Sequence, residues 1–299
     1  MIETNIPQLR DPFVLRADGV YYAYGTGITD GGWDHTTYAC YRNTSGRLDG
    51  PWTKLTHEIY VRPPHAEKNL WAPEVHRYRG AYYLFATYFS SETQHRVSAI
   101  FRAESPEGPF EEITGGALTP RDWDCIDATL YVDPNGAPWL VFVHEWTCTD
   151  DHIGRMAAAR LSDDLTHCIS APIELFRADA PEWAHGNRVT DGCFLYTTQT
   201  GRLLMLWSNM DADGYCVGIA ASTTGRIEGP WVQQEERLYT RSMGAYDGGH
   251  GMIFTDADGA RYLCIHSPNT PTPARAEVPV LIPVREQNDT LVCVLENEK

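Results

Sequence analysis

Acidic, imidazole and indole side chains recur in this chain at matching places in a repeated phrase. Asp11, Trp71 with Glu74, Asp127, Asp191 and His250 each stand where a short apolar strand opens. Thr26, Tyr88, His144-Glu145-Trp146, Trp207-Ser208-Asn209 and His266-Ser267 stand where the following strand ends. Such a set suits a sugar: aromatic faces stack on the C–H faces of the ring, while carboxylates and imidazoles hydrogen-bond its hydroxyls. Trp71, His144, Trp207 and His266 are the expected substrate contacts. Taken singly, the same residues have plainer readings. Asp before Pro caps a turn, an indole can seal a joint between sheets, and a histidine between glycines can bond a carbonyl. Glu74 reads as structural rather than catalytic. The recurrence favours a site, provided the elements that carry these residues converge.

Those elements are five β-hairpins. The copies begin at Asp11, Trp71, Ile126, Thr190 and Gly249, with Asp18-Gly19, Arg79-Gly80, Asn135-Gly136, Thr200-Gly201 and Asp258-Gly259 at the turns. A weaker two-strand unit separates the copies, so each period of roughly 60 residues supplies about four strands, the content of one propeller blade. Three of the outer units end alike, in Asp49-Gly50-Pro51-Trp52, Glu107-Gly108-Pro109-Phe110 and Glu228-Gly229-Pro230-Trp231, where Gly-Pro turns the chain and the aromatic can plug the space between outer strands. The expectation is an all-β, five-bladed β-propeller forming a single domain over residues 1–299. If the hairpins are innermost, their openings and the ends of their second strands meet at one mouth of the central channel. Pairing of the two termini would close the ring, but the sequence carries no signature of it.

Composition narrows the partners. A formal charge of −16 argues against a phosphate backbone, which draws on concentrated Lys and Arg, so no nucleic acid is expected and a small neutral oligosaccharide or glycoside is. Met1-Ile2-Glu3-Thr4-Asn5 has neither a basic segment nor an apolar core of a leader, and no run of about 18 apolar residues occurs, so no membrane partner and a cytoplasmic location are expected. None of the eight cysteines sits in a metal-ligand spacing, several lie in apolar strands, and free thiols are expected. Neither Cys40 nor Cys125 has a histidine partner that would make it a nucleophile. No DxDxDG loop is present; the run 211–214 lacks a downstream bidentate Glu at the right distance, and the run 256–259 reads as a hairpin turn.

The order of the strand openings resembles family 43 of the glycoside hydrolases, five-bladed propellers that cleave arabinofuranosides, xylosides and related linkages with inversion. Arg10-Asp11-Pro12, Trp71-Ala72-Pro73-Glu74-Val75, Ile126-Asp127, Asp191-Gly192 and Gly248-Gly249-His250-Gly251 carry the resemblance. It implies Asp11 as general base and Asp127 as the carboxylate that tunes the acid and orients substrate. It places His250 beside the channel, where a divalent metal or sodium ion held through waters is expected although no cofactor is required. An inverting glycosidase needs one carboxylate to deprotonate water and a protonated second one to reach the leaving oxygen, about 6.5–9.5 Å away. The chain departs from the family at that acid. Where Glu-Gly-Pro is usual it has Asp191-Gly192-Cys193, one methylene shorter. Glu145 and, on the segment Pro181-Glu182-Trp183, Glu182 stand as alternatives to Asp191.

The expected activity is an inverting glycosidase acting on short oligosaccharides, an α-L-arabinofuranosidase or a related galactofuranosidase or β-xylosidase. Its pocket would be shaped by loops such as 29–37 and 179–189. A sugar-binding propeller without turnover is the first rival, and a glycoside phosphorylase the second. The latter needs cations around the attacking phosphate, for which Arg275 is the one late candidate.

Overall fold

The computed structural model describes residues 1–29 and 32–295, with His35 described by its backbone alone. Asp30 and Gly31 lie outside the described residues, and the rest of the expected loop 29–37 is strand instead, in Val20–Thr29 and Gly32–Asn43, which pair with each other. Five antiparallel sheets follow one another along the chain, the expected five-bladed propeller. Their innermost strands are Arg10–Ala17, Ala66–Tyr78, Cys125–Val132, Asp191–Thr197 and Gly249–Thr255, for blades one to five in turn. The second strands are Val20–Thr29, Ala81–Ser90, Pro138–His144, Leu203–Asp211 and Arg261–Ser267. Helical structure among the described residues is confined to the 3-10 turns Glu182–Ala184 and Arg241–Met243.

Glycine lets the inner hairpins reverse. Gly19, Gly80, Gly136, Gly201 and Gly259 have φ of 81°, 89°, 83°, 91° and 86°, a region where a Cβ would be penalised. In the first two hairpins the residue before the glycine is left-handed too, Asp18 at 49° and Arg79 at 46°. This gives two-residue loops whose twist matches the strands they join.

Side chains alternate across each strand, and the apolar ones fill the joints between sheets. Tyr38 of blade one meets Phe101 of blade two at 6.3 Å between ring centres. Trp207 of blade four packs on Phe176 of blade three at 5.2 Å and on Trp183 at 5.4 Å. The Gly-Pro aromatics do act as plugs: Trp52 and Phe110 are buried. Trp52 donates its indole N–H to the Leu48 carbonyl at 3.1 Å, and the half-buried Trp231 repeats this with Ile227 at 2.8 Å.

The ring closes through both ends of the chain. Ile2–Glu3 pairs with the third strand of blade five, Val278–Gln287, at Leu281 and Val280. Further along the same strand, Thr290–Cys293 pairs from Gln287 back to Val284. All eight cysteines are free thiols, and burial pushes those of Cys40 and Cys125 up, away from nucleophilic use.

Candidate active site

Each innermost strand carries a bulge in its ladder, at its opening in blades one, three, four and five and midway along Ala66–Tyr78 in blade two. The register shifts between Arg10 and Phe13, Trp71 and Glu74, Ile126 and Thr129, Asp191 and Phe194, and Gly249 and Met252. Within each bulge one residue is left-handed: Asp11 at φ 51°, Ala72 at 44°, Asp127 at 54°, Gly192 at 45° and His250 at 54°. A bulge re-aims a side chain and interrupts pairing. Three of the five carry ionisable side chains in a conformation that costs a non-glycine residue on the order of 1 kcal/mol, so the surrounding packing must hold them there.

Hydrogen bonds between blades do that holding. The bulge N–H of Ala72 donates to Thr26 Oγ1 at 2.8 Å, that of Asp127 to Thr87 Oγ1 at 3.0 Å and that of His250 to Ser208 Oγ at 2.8 Å. The Asp11 N–H donates to His266 Nδ1 at 3.3 Å. These four acceptors occupy one ladder position, opposite Arg10, Trp71, Asp191 and Gly249. In blade three that position, opposite Ile126, is Val143, which has no acceptor. There Asp127 Oδ2 itself takes the Gly192 N–H at 2.9 Å, tying the third aspartate to the residue after Asp191.

The three aspartates share one pocket and differ in their neighbours. Asp11 Oδ2 accepts from Thr26 Oγ1 at 2.9 Å, and its Oδ1 lies 3.2 Å from His250 Nδ1 and 3.6 Å from Arg10 Nε. Burial alone would lift this carboxyl, yet His250 and Arg10 hold it well below the ordinary aspartate range. Burial likewise opposes charge on His250, but Asp11 and then Asp127, whose Oδ2 is 3.8 Å away, push the imidazole up to about 10. His266, fully buried behind Asp11, is different. It accepts the Asp11 N–H at Nδ1, so its proton sits on Nε2 facing Asn269 Oδ1 at 3.4 Å, and burial holds it neutral.

Asp127 and Asp191 move the other way. Burial lifts Asp127 above the ordinary range against the pull of His250, and the like charge of Asp11 adds to the lift. Burial, then the like charge of Asp127, lifts Asp191, whose Oδ2 accepts from Tyr215 Oη at 2.9 Å. Glu145 is raised above the ordinary glutamate range, burial outweighing the pull of Arg96, whose Nε lies 2.6 Å from Oε2. The Arg96 guanidinium has Glu145 as its nearest counterion.

Asp11, Asp127, Asp191, Glu145, Trp71 and His250 line a pocket of about 340 Å³, together with Trp33, Trp146 and Tyr215. A larger cavity of about 810 Å³ lies on the outer side of blade four, and Glu182 faces it rather than the aspartates. Three expected sugar contacts are not at the pocket. Trp207 is fully buried, because neighbours on a strand point to opposite faces and its neighbour Ser208 takes the inward one. His144 is stacked on Trp123 at 3.8 Å between ring centres, and His266 supports Asp11 from behind. Tyr88 also turns away, donating to Glu112 at 2.9 Å. Arg275 pairs with Glu3 on the surface at 2.7 Å, so the one late cation considered for phosphate is not at the pocket. Trp33, Tyr215 and Asn269 line the pocket without having been singled out by the repeated phrase.

Among the described residues no three His, Cys, Asp or Glu side chains converge as metal ligands. The Nδ1 of His250 is taken up by Asp11 at 3.2 Å, which leaves Nε2 as the ring atom for an ion held through waters.

Solved structures and curated sequences resemble the chain as follows. An endo-arabinase from Bacteroides thetaiotaomicron is 34% identical, with a TM-score of 0.81 over 96% of this chain and 98% of that one. An endo-1,4-beta-xylanase from the same organism is 25% identical, with a TM-score of 0.78 over 98% of this chain and 97% of that one. A probable arabinan endo-1,5-alpha-L-arabinosidase C from Aspergillus niger is 27% identical over 225 residues, which span 71% of this chain but only 62% of the fungal protein. The profile of the glycosyl hydrolases family 43 matches residues 7–289, and with five bulged inner strands meeting at one acidic pocket, the chain belongs to that family.

Proposed function

We propose that the protein hydrolyses α-L-arabinofuranosyl linkages in short arabinan-derived oligosaccharides, with inversion at the anomeric carbon. The observation that carries this reading is the split among carboxylates in one pocket: Asp11 is held ionised by His250 and Arg10, while Asp191 is lifted toward its protonated form. Asp11 then takes a proton from water as its oxygen attacks the anomeric carbon. The glycosidic bond breaks with its electron pair going to the leaving oxygen, which Asp191 protonates. Asp127 keeps that proton in place by like-charge repulsion and offers its remaining oxygen to a sugar hydroxyl. Arabinose is favoured over xylose by the higher identity to the arabinase than to the xylanase.

The test is turnover of aryl α-L-arabinofuranoside, β-D-xyloside and β-D-galactofuranoside, with the anomer of the released sugar followed by NMR. Arabinofuranoside cleavage with inversion is expected, and Asp11→Asn is expected to lose roughly 10²–10⁴-fold in kcat. Cleavage of another glycoside alone would reassign the sugar. Tight oligosaccharide binding without turnover would favour a sugar-binding propeller, and phosphate-dependent turnover a phosphorylase.

A further inference from the structure

Glu145 enters the pocket just past the second strand of blade three, and the roles of the three aspartates leave its own unassigned. Its Oε2 is fixed by Arg96 Nε at 2.6 Å, from the third strand of blade two, Arg96–Ala103. The same guanidinium donates to Thr147 Oγ1 at 3.0 Å, lies 3.6 Å from Asp124 and sits 5.6 Å over the Trp71 ring. Arg96 thus sets Glu145 and Trp71 relative to each other across the joint between blades two and three. Glu145 is only 5% exposed, yet it lines the pocket, and its Oε1 is held by no protein group among the described residues. A buried carboxylate on a pocket wall, clamped through one oxygen, has acceptor capacity left for a ligand hydroxyl.

Ring order says which hydroxyl. Blade three adjoins blade four, which carries Asp191, whereas Asp11 is two blades away on blade one. With Asp191 facing the leaving oxygen and Asp11 the attacking water, the acid's neighbour borders the departing sugar. We infer that Glu145 accepts a hydroxyl of the leaving-group sugar, a neutral pentose unit, and that Arg96 is the positioning residue that aims Glu145. This rests on the hydrolase reading of the pocket.

Steady-state kinetics of wild type, Glu145→Gln, Arg96→Met and Arg96→Lys on arabinotriose and on phenyl and 4-nitrophenyl α-L-arabinofuranoside test it. Glu145→Gln is expected to raise KM for arabinotriose about tenfold or more, the scale of a hydrogen bond to a charged group. The ratio of kcat/KM for arabinotriose to that for either aryl glycoside falls with it, and the alkaline limb of the pH profile stays. Arg96→Met follows the same pattern and Arg96→Lys recovers part of the loss. Loss of the alkaline limb, with only the nitrophenyl glycoside spared, would make Glu145 the acid and overturn the inference. Equal losses on all three substrates, or no loss, would overturn it as well. Should wild type cleave none of them, the hydrolase reading fails and calorimetric titration with arabinotriose decides: weaker binding by Glu145→Gln upholds the hydroxyl contact, while unchanged or absent binding removes it.

Discussion

Asp11 and Asp191 are the same residue type on the wall of the same pocket, and their surroundings push their protonation in opposite directions. The proposed hydrolysis uses Asp11 ionised and Asp191 protonated. Asp11 lies below the ordinary aspartate value of about 3.9, so the rate is expected to hold until pH falls beneath that range and Asp11 takes up a proton. Asp191 lies above it, so the rate is lost only as rising pH removes that proton, well beyond where an ordinary aspartate would have ionised. Asp127→Asn removes the like charge beside Asp191, and the alkaline limb of kcat/KM on an unactivated oligosaccharide is expected to move to lower pH, with burial keeping it above the ordinary value. An alkaline limb that does not move would assign that titration to another group. The shorter reach of aspartate at the acid position also means that substrate must approach the mouth of blade four more closely than a glutamate would require.

At the scale of the element, the bulge is the device that makes a strand end into a site. Its N–H is buried, so the acceptor on the neighbouring blade is part of the machinery that aims the side chain. Ser208→Ala removes the acceptor for the His250 N–H and is expected to cost about 1–3 kcal/mol of stability, the scale of a buried donor left unsatisfied. The same variant should lower turnover, since His250 is what holds Asp11 ionised. Calorimetric melting together with kcat checks both, and a variant with wild-type Tm and kcat would remove the joint from the machinery. Much of this was legible in the sequence. The turn glycines and apolar alternation mark the hairpins, and one acidic or imidazole residue near each opening marks the mouth. Face was less legible than place, because a shift of one residue flips a side chain, which is why Trp207 reads as a sugar contact but is core while Ser208 beside it is the anchor. Trp33 and Arg96 were not legible, because their roles come from partners in other parts of the chain, Arg10 at 4.9 Å over the Trp33 ring and Glu145 beside Arg96. Local periodicity carries no trace of such contacts.

Across the whole molecule, five sheets in a ring leave one seam, and the chain closes it with both of its ends. A two-residue strand from the start and a four-residue strand from the finish lie along the same outer edge of blade five. Ile2 is opposite Leu281 and Cys293 opposite Val284, so the two ends are three rungs apart, roughly 10 Å at the rise of a strand. The order in which the blades are threaded is therefore not what makes the ring, and the protein is a candidate for circular permutation. A short Gly/Ser linker joining residues 295 and 1, with new ends opened at the exposed turn 200–201, is expected to give a folded enzyme with kcat within a few-fold of the parent and a modestly lower Tm. Loss of folding in that permutant, measured by thermal unfolding, would show that the seam in blade five must be the last to close.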